Sequence, residues 1–166
     1  MYDTTTKKGI ITFKYDNTAL FNSVSLLSSY MVKNMKMEEG SSLDEFSISE
    51  DEREIFNECL KQALPNIYEV IMQVAPSCDG AFSDGLDNNS PVTISIKDNG
   101  AYNTNVIAIV DATLYDCIKY GILSAFYSIC VNEGLYTIAG GKLSANINQL
   151  KQRMFQLKKK TVSPQL

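Results

Sequence analysis

The stretch that constrains this chain most is Val92 to Gly134, which reads as a β-hairpin running straight into a long apolar helix. Val92-Thr-Ile-Ser-Ile-Lys97 alternates as a strand does, Asp98-Asn99-Gly100 supplies turn chemistry, and Val106-Ile-Ala-Ile-Val110 reads as the return strand. Asp111 follows where a helix N-cap belongs. The expected helix carries Leu114, Ile118, Ile122, Ala125, Phe126 and Ile129 on one stripe, widened by Tyr115, Leu123, Tyr127 and Val131. Only Asp116, Lys119, Ser124, Ser128 and Asn132 remain as solvated positions. Such a helix is either central in its domain or shared with a neighbouring subunit. Glu133-Gly134 is expected to close it, glycine suiting the left-handed position past a helix end.

The elements before it are legible in the same way. Gly9 to Tyr15 alternates, with Ile11, Phe13 and Tyr15 on one side and Thr12 and Lys14 on the other, a half-buried strand expected to pair with the hairpin. Asp16-Asn17-Thr18 gives turn and cap chemistry, and a helix follows with Leu20, Val24, Leu27, Met31 and Met35 on one stripe and a Ser-rich opposite face. Met37 to Ser47 has no period and is expected to be a mobile loop. Ser49-Glu50-Asp51-Glu52 is a capping box, its acids placed at the positive end of the next helix. That helix puts Phe56, Leu60, Ala63, Ile67, Val70 and Val74 on one stripe. Pro65 falls inside it, which predicts a kink or two abutting helices. Ser77 to Pro91 reads as an exposed loop. After Gly140-Gly141, a last helix is expected from about Lys142, with Leu143, Ile147, Leu150, Met154 and Leu157 forming a narrow seam suited to a partner helix. The expected fold class is therefore α+β and mainly helical: a helix bundle with a small antiparallel sheet, an N-terminal strand plus a β-hairpin, before a long central apolar helix. Residues 1–157 form one domain in this reading, and 158–166 a basic, flexible tail.

Composition excludes more than it selects. A chain of 166 residues with 45% hydrophobic and 20% charged residues is ordinary single-domain globular material. Its net charge of −4 argues against a general nucleic-acid binder. No apolar run reaches the roughly 18 residues of a membrane span, and Met1 to Gly9 has no apolar signal region, so neither a membrane nor export is expected. The four cysteines, Cys59, Cys78, Cys117 and Cys130, show no CxxC spacing and are expected to be reduced, buried and cytosolic. With no histidine in the chain, Ser-His and Cys-His catalysis and imidazole metal sites are absent.

The remaining motif-like stretches fail on spacing. Counted from Asp79 or Asp84, the third position of a calcium loop holds Ala81 or Leu86, where a ligand oxygen is required. Gly140-Gly141-Lys142 lacks the first glycine and the hydroxyl residue of a phosphate loop, having Tyr136 and Leu143 there. Asp111 and Asp116 are explained by a helix start rather than a catalytic pair. No catalytic residue, cofactor or metal is expected.

Charge placement says more. Between Glu38 and Glu58 the acids Glu38, Glu39, Asp44, Glu45, Glu50, Asp51, Glu52, Glu54 and Glu58 face Arg53 alone, whereas after Glu133 only bases occur: Lys142, Lys151, Arg153, Lys158, Lys159 and Lys160. A solvated helix start with a solubilising tail is one reading. Head-to-tail association, the basic end of one copy on the acidic region of the next, is a second, and contacts of that kind close into rings where the rotation permits. Contact of the Lys-rich tail with nucleic-acid phosphates is a third.

The order of elements resembles the head–tail connector (adaptor) proteins of tailed bacteriophages. The likeness is carried by Leu26-Leu27-Ser-Ser-Tyr30, by Ser49-Glu-Asp-Glu-Arg-Glu-Ile-Phe56 and by Leu114 to Glu133, and covers about Ala19 to Leu157 by pattern. An extra N-terminal strand and a long Ser77–Pro91 loop depart from that family, and a tail terminator or another neck-ring protein fits nearly as well. The resemblance implies a structural virion protein made in the bacterial host cytoplasm. Copies would form a ring between portal and tail proteins, with DNA passing through the lumen. The interface it implies sets Glu50, Asp51, Glu52, Glu54 and Glu58 against Lys151, Arg153, Lys158, Lys159 and Lys160, and the tail would order on its neighbour. Two rivals stay open: a small intracellular binding or regulatory module gripping a partner helix with the Leu143–Leu157 seam, and an enzyme built on Asp, Glu, Lys, Tyr or Cys.

Overall fold

A computed structural model describes residues 2–3, 8–34, 46–80, 90–98, 100 and 102–158. In chain order the elements are β1 (Tyr2–Asp3), β2 (Lys8–Tyr15), α1 (Asn17–Lys33), α2 (Arg53–Val74), β3 (Cys78–Gly80), β4 (Val92–Asp98), α3 (Ile107–Ile129) and α4 (Glu133–Lys158). The expected class holds: α+β, mainly helical, with a small antiparallel sheet. The expected loop over 37–47 lies mostly outside the described residues. So do 81–89 of the Ser77–Pro91 stretch, Asn99 of the expected turn, and the tail beyond Lys158.

The sheet runs β1-β2-β4-β3, every neighbour antiparallel. The N-terminal strand does pair with the strand at 92–98: Ile11 stands opposite Ile96, Phe13 opposite Ile94 and Tyr15 opposite Val92. All six of these side chains are buried, so the inner face is a ladder of directly opposed apolar pairs. On the other face Thr12 Oγ1 and Ser95 Oγ lie 3.3 Å apart.

The expected return strand at 106–110 does not form. After β4 the chain makes a short 3-10 turn over Thr104–Val106, with the Asn103 carboxamide accepting from Asn105 N–H at 3.2 Å, and α3 begins at Ile107. Val110 is wholly buried and Ile107 partly so, and in such β-branched runs packing rather than strand propensity decides the outcome. The second partner of β4 is β3, part of the stretch read as loop. Asp111 consequently sits inside α3 and not at its N-cap. Its carboxylate accepts the Tyr15 hydroxyl at 2.7 Å.

The helix starts before it follow their sequence signals. Asp16 caps α1, its carboxylate accepting Ala19 N–H at 2.8 Å. The Glu52 carboxylate accepts the backbone N–H of Ser49 at 2.8 Å, closing the capping box ahead of α2. Two details differ. Ser28, expected on a polar outer face, is buried, its hydroxyl accepting Ile48 N–H at 3.0 Å and donating to Ser25 O at 2.8 Å. α2 also continues through Pro65 as one helix of 22 residues, which overturns the two-helix half of the expectation at the proline, with Ala63, Leu64 and Ile67 buried on either side.

α3 is the centre of the bundle. Leu114, Cys117, Ile118, Ile122, Leu123 and Tyr127 are fully buried, and α1, α2 and α4 of the same chain pack around it. The first of the two expected alternatives, a helix central in its own domain, is the one this packing supports. α3 ends at Ile129, and the left-handed residue past its end is Val131 (φ 53°), not Gly134. α4 starts at Glu133, where the Asn132 carboxamide accepts Leu135 N–H at 2.9 Å. It runs 26 residues through Gly140-Gly141, so the glycines do not punctuate and the last helix is not short. Gly140 lies against α3, where an added Cβ would stand 3.9 Å from Ser124 Oγ. Of the seam expected to face a partner, Leu150, Met154 and Leu157 are fully buried within the chain, while Leu143 and Ile147 are half-buried. All four cysteines are free thiols, Cys59, Cys78 and Cys117 buried and Cys130 half-buried; Cys78 lies in β3 and Cys130 just past α3.

Candidate interaction surface

The three long helices run antiparallel in sequence order, and this sorts the charges. Residues 130–132 join α3 to α4 at one end, while at the other the Asn103 N–H, just ahead of α3, donates to the carbonyl of Leu157 in the last turn of α4 at 2.6 Å. α2 crosses α3 where Gly121 meets Ala63 and Ile67. Its start reaches the α3–α4 corner: burial first, and the Glu52 carboxylate second, hold the Cys130 thiol above its ordinary pKa. Its far end leads to Ser77, which hydrogen-bonds Tyr102 beside the end of α4.

The acids expected at an interface therefore share the corner end. Glu50, Asp51, Glu54 and Glu58 are exposed and Glu52 half-buried, and Glu133 opens α4 there. Two are partly neutralised locally, Glu50 by the half-buried Arg53 at 3.8 Å and Glu58 by Lys61 at 2.8 Å, pairs whose acids are exposed and which carry little energetic weight. Arg53 is mainly a clamp. Its guanidinium lies 4.1 Å from the centre of the Phe21 ring and bonds Asn17 Oδ1 and Thr18 Oγ1 at 3.3 Å, tying α1 to α2. The expected bases lie at the opposite end: Lys151 and Arg153 half-buried, Arg153 bonded to Gln156 at 3.1 Å, and Lys158 exposed. Lys159 and Lys160 lie outside the described residues. Among the described residues of one chain the two sets do not meet.

The corner holds a cleft that sequence reasoning missed. Tyr127, Ser128, Val131, Asn132, Glu133 and Tyr136 line a volume of about 180 Å³. Tyr127 is completely buried, and its hydroxyl has no hydrogen-bond partner among the described residues. Burial, then the Cys130 thiol, pushes its pKa up, so it stays a donor. Within the lining, Tyr136 is about half exposed and Val131 is 83% exposed. A β-branched residue with φ of 53° is strained as well as exposed. The one available signal was Asn132-Glu133, a cap sequence directly behind the apolar Ile129–Val131 run. The opposite end offers its own exposed ring, Phe155 at 58%, one turn before Lys158.

No family model, curated protein or solved structure matches this chain. The site has to be judged on its own chemistry. Among the described residues there is no group of three or more Cys, Asp or Glu placed to hold a metal ion, and no helix long and apolar enough to cross a membrane. The cleft is smaller than the roughly 300–1,000 Å³ of small-molecule sites and suits a single side chain. What the surface offers is two unlike ends, each combining charge with exposed apolar groups.

Proposed function

We propose that this protein is a structural assembly component whose copies join head to tail into a closed ring, in the specific form of a head–tail connector of a tailed bacteriophage. In that setting it would sit in the virion between portal and tail proteins, with DNA passing through the lumen. The observation that carries the reading is the sorting of Glu50–Glu58 and Glu133 to one end of the α2–α3–α4 stack and of Lys151, Arg153 and Lys158 to the other. Unlike ends that complement each other generate heterologous contacts, which close into rings at the right rotation. A tail terminator would use the same geometry. The binding-module reading has less support, because Leu150, Met154 and Leu157 of its seam pack inside the chain, although Leu143 and Ile147 stay half-buried.

Light scattering at low and high salt, with electron microscopy of the low-salt species, tests this. A closed oligomer of several copies is expected, loosened near 1 M salt, where the screening length falls to about 3 Å. A monomer under all conditions, or a ring indifferent to salt, removes the charge-driven ring.

A further inference from the structure

We infer that the joint between copies is a single aromatic plug: Phe155 of one copy enters the α3–α4 corner cleft of the next, with Lys158 beside it facing Glu133 and the acidic start of α2. The inference rests on the ring reading above and names the surfaces that would make it.

Size is the first argument. The cleft measures about 180 Å³, and an engineered cavity of about 150 Å³ is known to hold a benzene molecule. The cleft therefore has room for a phenyl ring, and Phe155 is an exposed one. Charge is the second. Phe155 is followed by Lys158, and the cleft is walled by Glu133 with Glu50, Asp51 and Glu54 at the same end of the molecule. The pairing places opposite charges around an apolar centre, as stable interfaces do.

Geometry makes the contact intermolecular. Phe155 stands 22 residues beyond Glu133 on one unbroken helix, a separation of about 33 Å at 1.5 Å per residue. No chain can fill its own cleft. A dimer joined corner on corner is disfavoured, since it would bring Glu133 and the α2 acids against their own copies. A knob and a socket at opposite ends permit either a reciprocal two-fold pair or head-to-tail growth, and the ring reading selects the second.

Two variants test this, both at exposed positions where the fold itself should be indifferent. Phe155→Ala removes the plug and keeps the cleft; Ser128→Trp fills the cleft and keeps the plug. Circular dichroism confirms that each is folded, and light scattering gives its mass. Each variant alone is expected to be monomeric, its assembly shifted to at least about tenfold higher concentration, as for a central aromatic anchor. Mixed together, they are expected to give a 1:1 dimer that grows no further, because only one intact plug and one intact cleft remain. A parent ring that both variants leave intact, or a mixture that yields no dimer, overturns the plug while leaving the ring. A parent protein that stays monomeric overturns both.

Discussion

Gly121 of α3 faces Ala63 of α2 so closely that a Cβ added to the glycine would stand 2.9 Å from the Ala63 Cβ. Neither atom belongs to a flexible side chain, so the only relief is for the helices to part. Overpacking of this kind is destabilising by about 1–3 kcal/mol, partly offset by the ~1 kcal/mol that alanine gains over glycine in a helix. Gly121→Ala should therefore lose about 1 kcal/mol in urea unfolding, and Gly121→Leu several. In an Ala63→Gly background the clash is gone, and Gly121→Ala should turn stabilising. Equal effects in both backgrounds would mean that the close approach carries no strain.

Tyr15 ties the sheet to the central helix through its bond to Asp111. The phenol donates to the carboxylate at 2.7 Å from a largely buried position. Tyr15→Phe keeps the ring and its packing on Tyr115, 5.3 Å away between centroids, and removes only the donor. Bonds to charged groups contribute about 1.5–3 kcal/mol, and because Asp111 is exposed and water can replace the phenol, a loss at or below the lower end of that range is expected in denaturant titrations. Asp111→Asn should lose less, since an amide oxygen still accepts. The reverse ranking would point to Asp111 acting elsewhere.

Alkaline pH should unfold this protein earlier than its net charge suggests. Burial, helped for Cys59 by Cys130 and for Cys117 by Asp116, pushes both thiols from about 9 to about 12. Burial and then Asp111 likewise raise Tyr15. A folded pKa above the unfolded one means that the unfolded chain releases protons first as pH rises, so stability is whole below about pH 9 and falls toward pH 12. Each such thiol adds a slope of about 1.4 kcal/mol per pH unit across that window. Urea midpoints at pH 8, 9.5 and 10.5 should show the decline, and Cys59→Ala, though less stable at pH 8, should show a shallower one. An unchanged slope would exclude Cys59 as a contributor.

Where local chemistry and tertiary packing agreed, the sequence could be read. The Asp16 cap, the Ser49–Glu52 box, the pairing of β2 with β4 and the apolar core of α3 all belong to that group. The failures share one cause. Val106 to Val110 has strand propensity, yet burial of Val110 recruits it into the first turn of α3. Gly140-Gly141 looks like a break, and a helix tolerates the pair because packing on α3 outweighs about 1 kcal/mol of propensity per glycine. The corner cleft was hidden for a related reason. Its left-handed residue is a valine, the type least suited to that backbone, so no turn signal marked where α3 ends.

That valine leads to a prediction linking stability to assembly. Val131 combines φ of 53° with 83% exposure, so it is strained and packs little within its own chain. A non-glycine residue held in the left-handed region is destabilised by about 1–3 kcal/mol, most for β-branched types, whereas asparagine and glycine adopt it readily. Val131→Asn should therefore raise the stability of the isolated chain by about 1 kcal/mol, seen as a higher urea midpoint at unchanged slope. If the cleft it borders receives Phe155 of a neighbour, the same change removes apolar wall and should weaken assembly in light scattering. Stability and assembly moving in opposite directions would identify Val131 as a residue kept for contact with another copy. Stability rising while assembly is untouched would show that the strain at the corner serves something other than the joint.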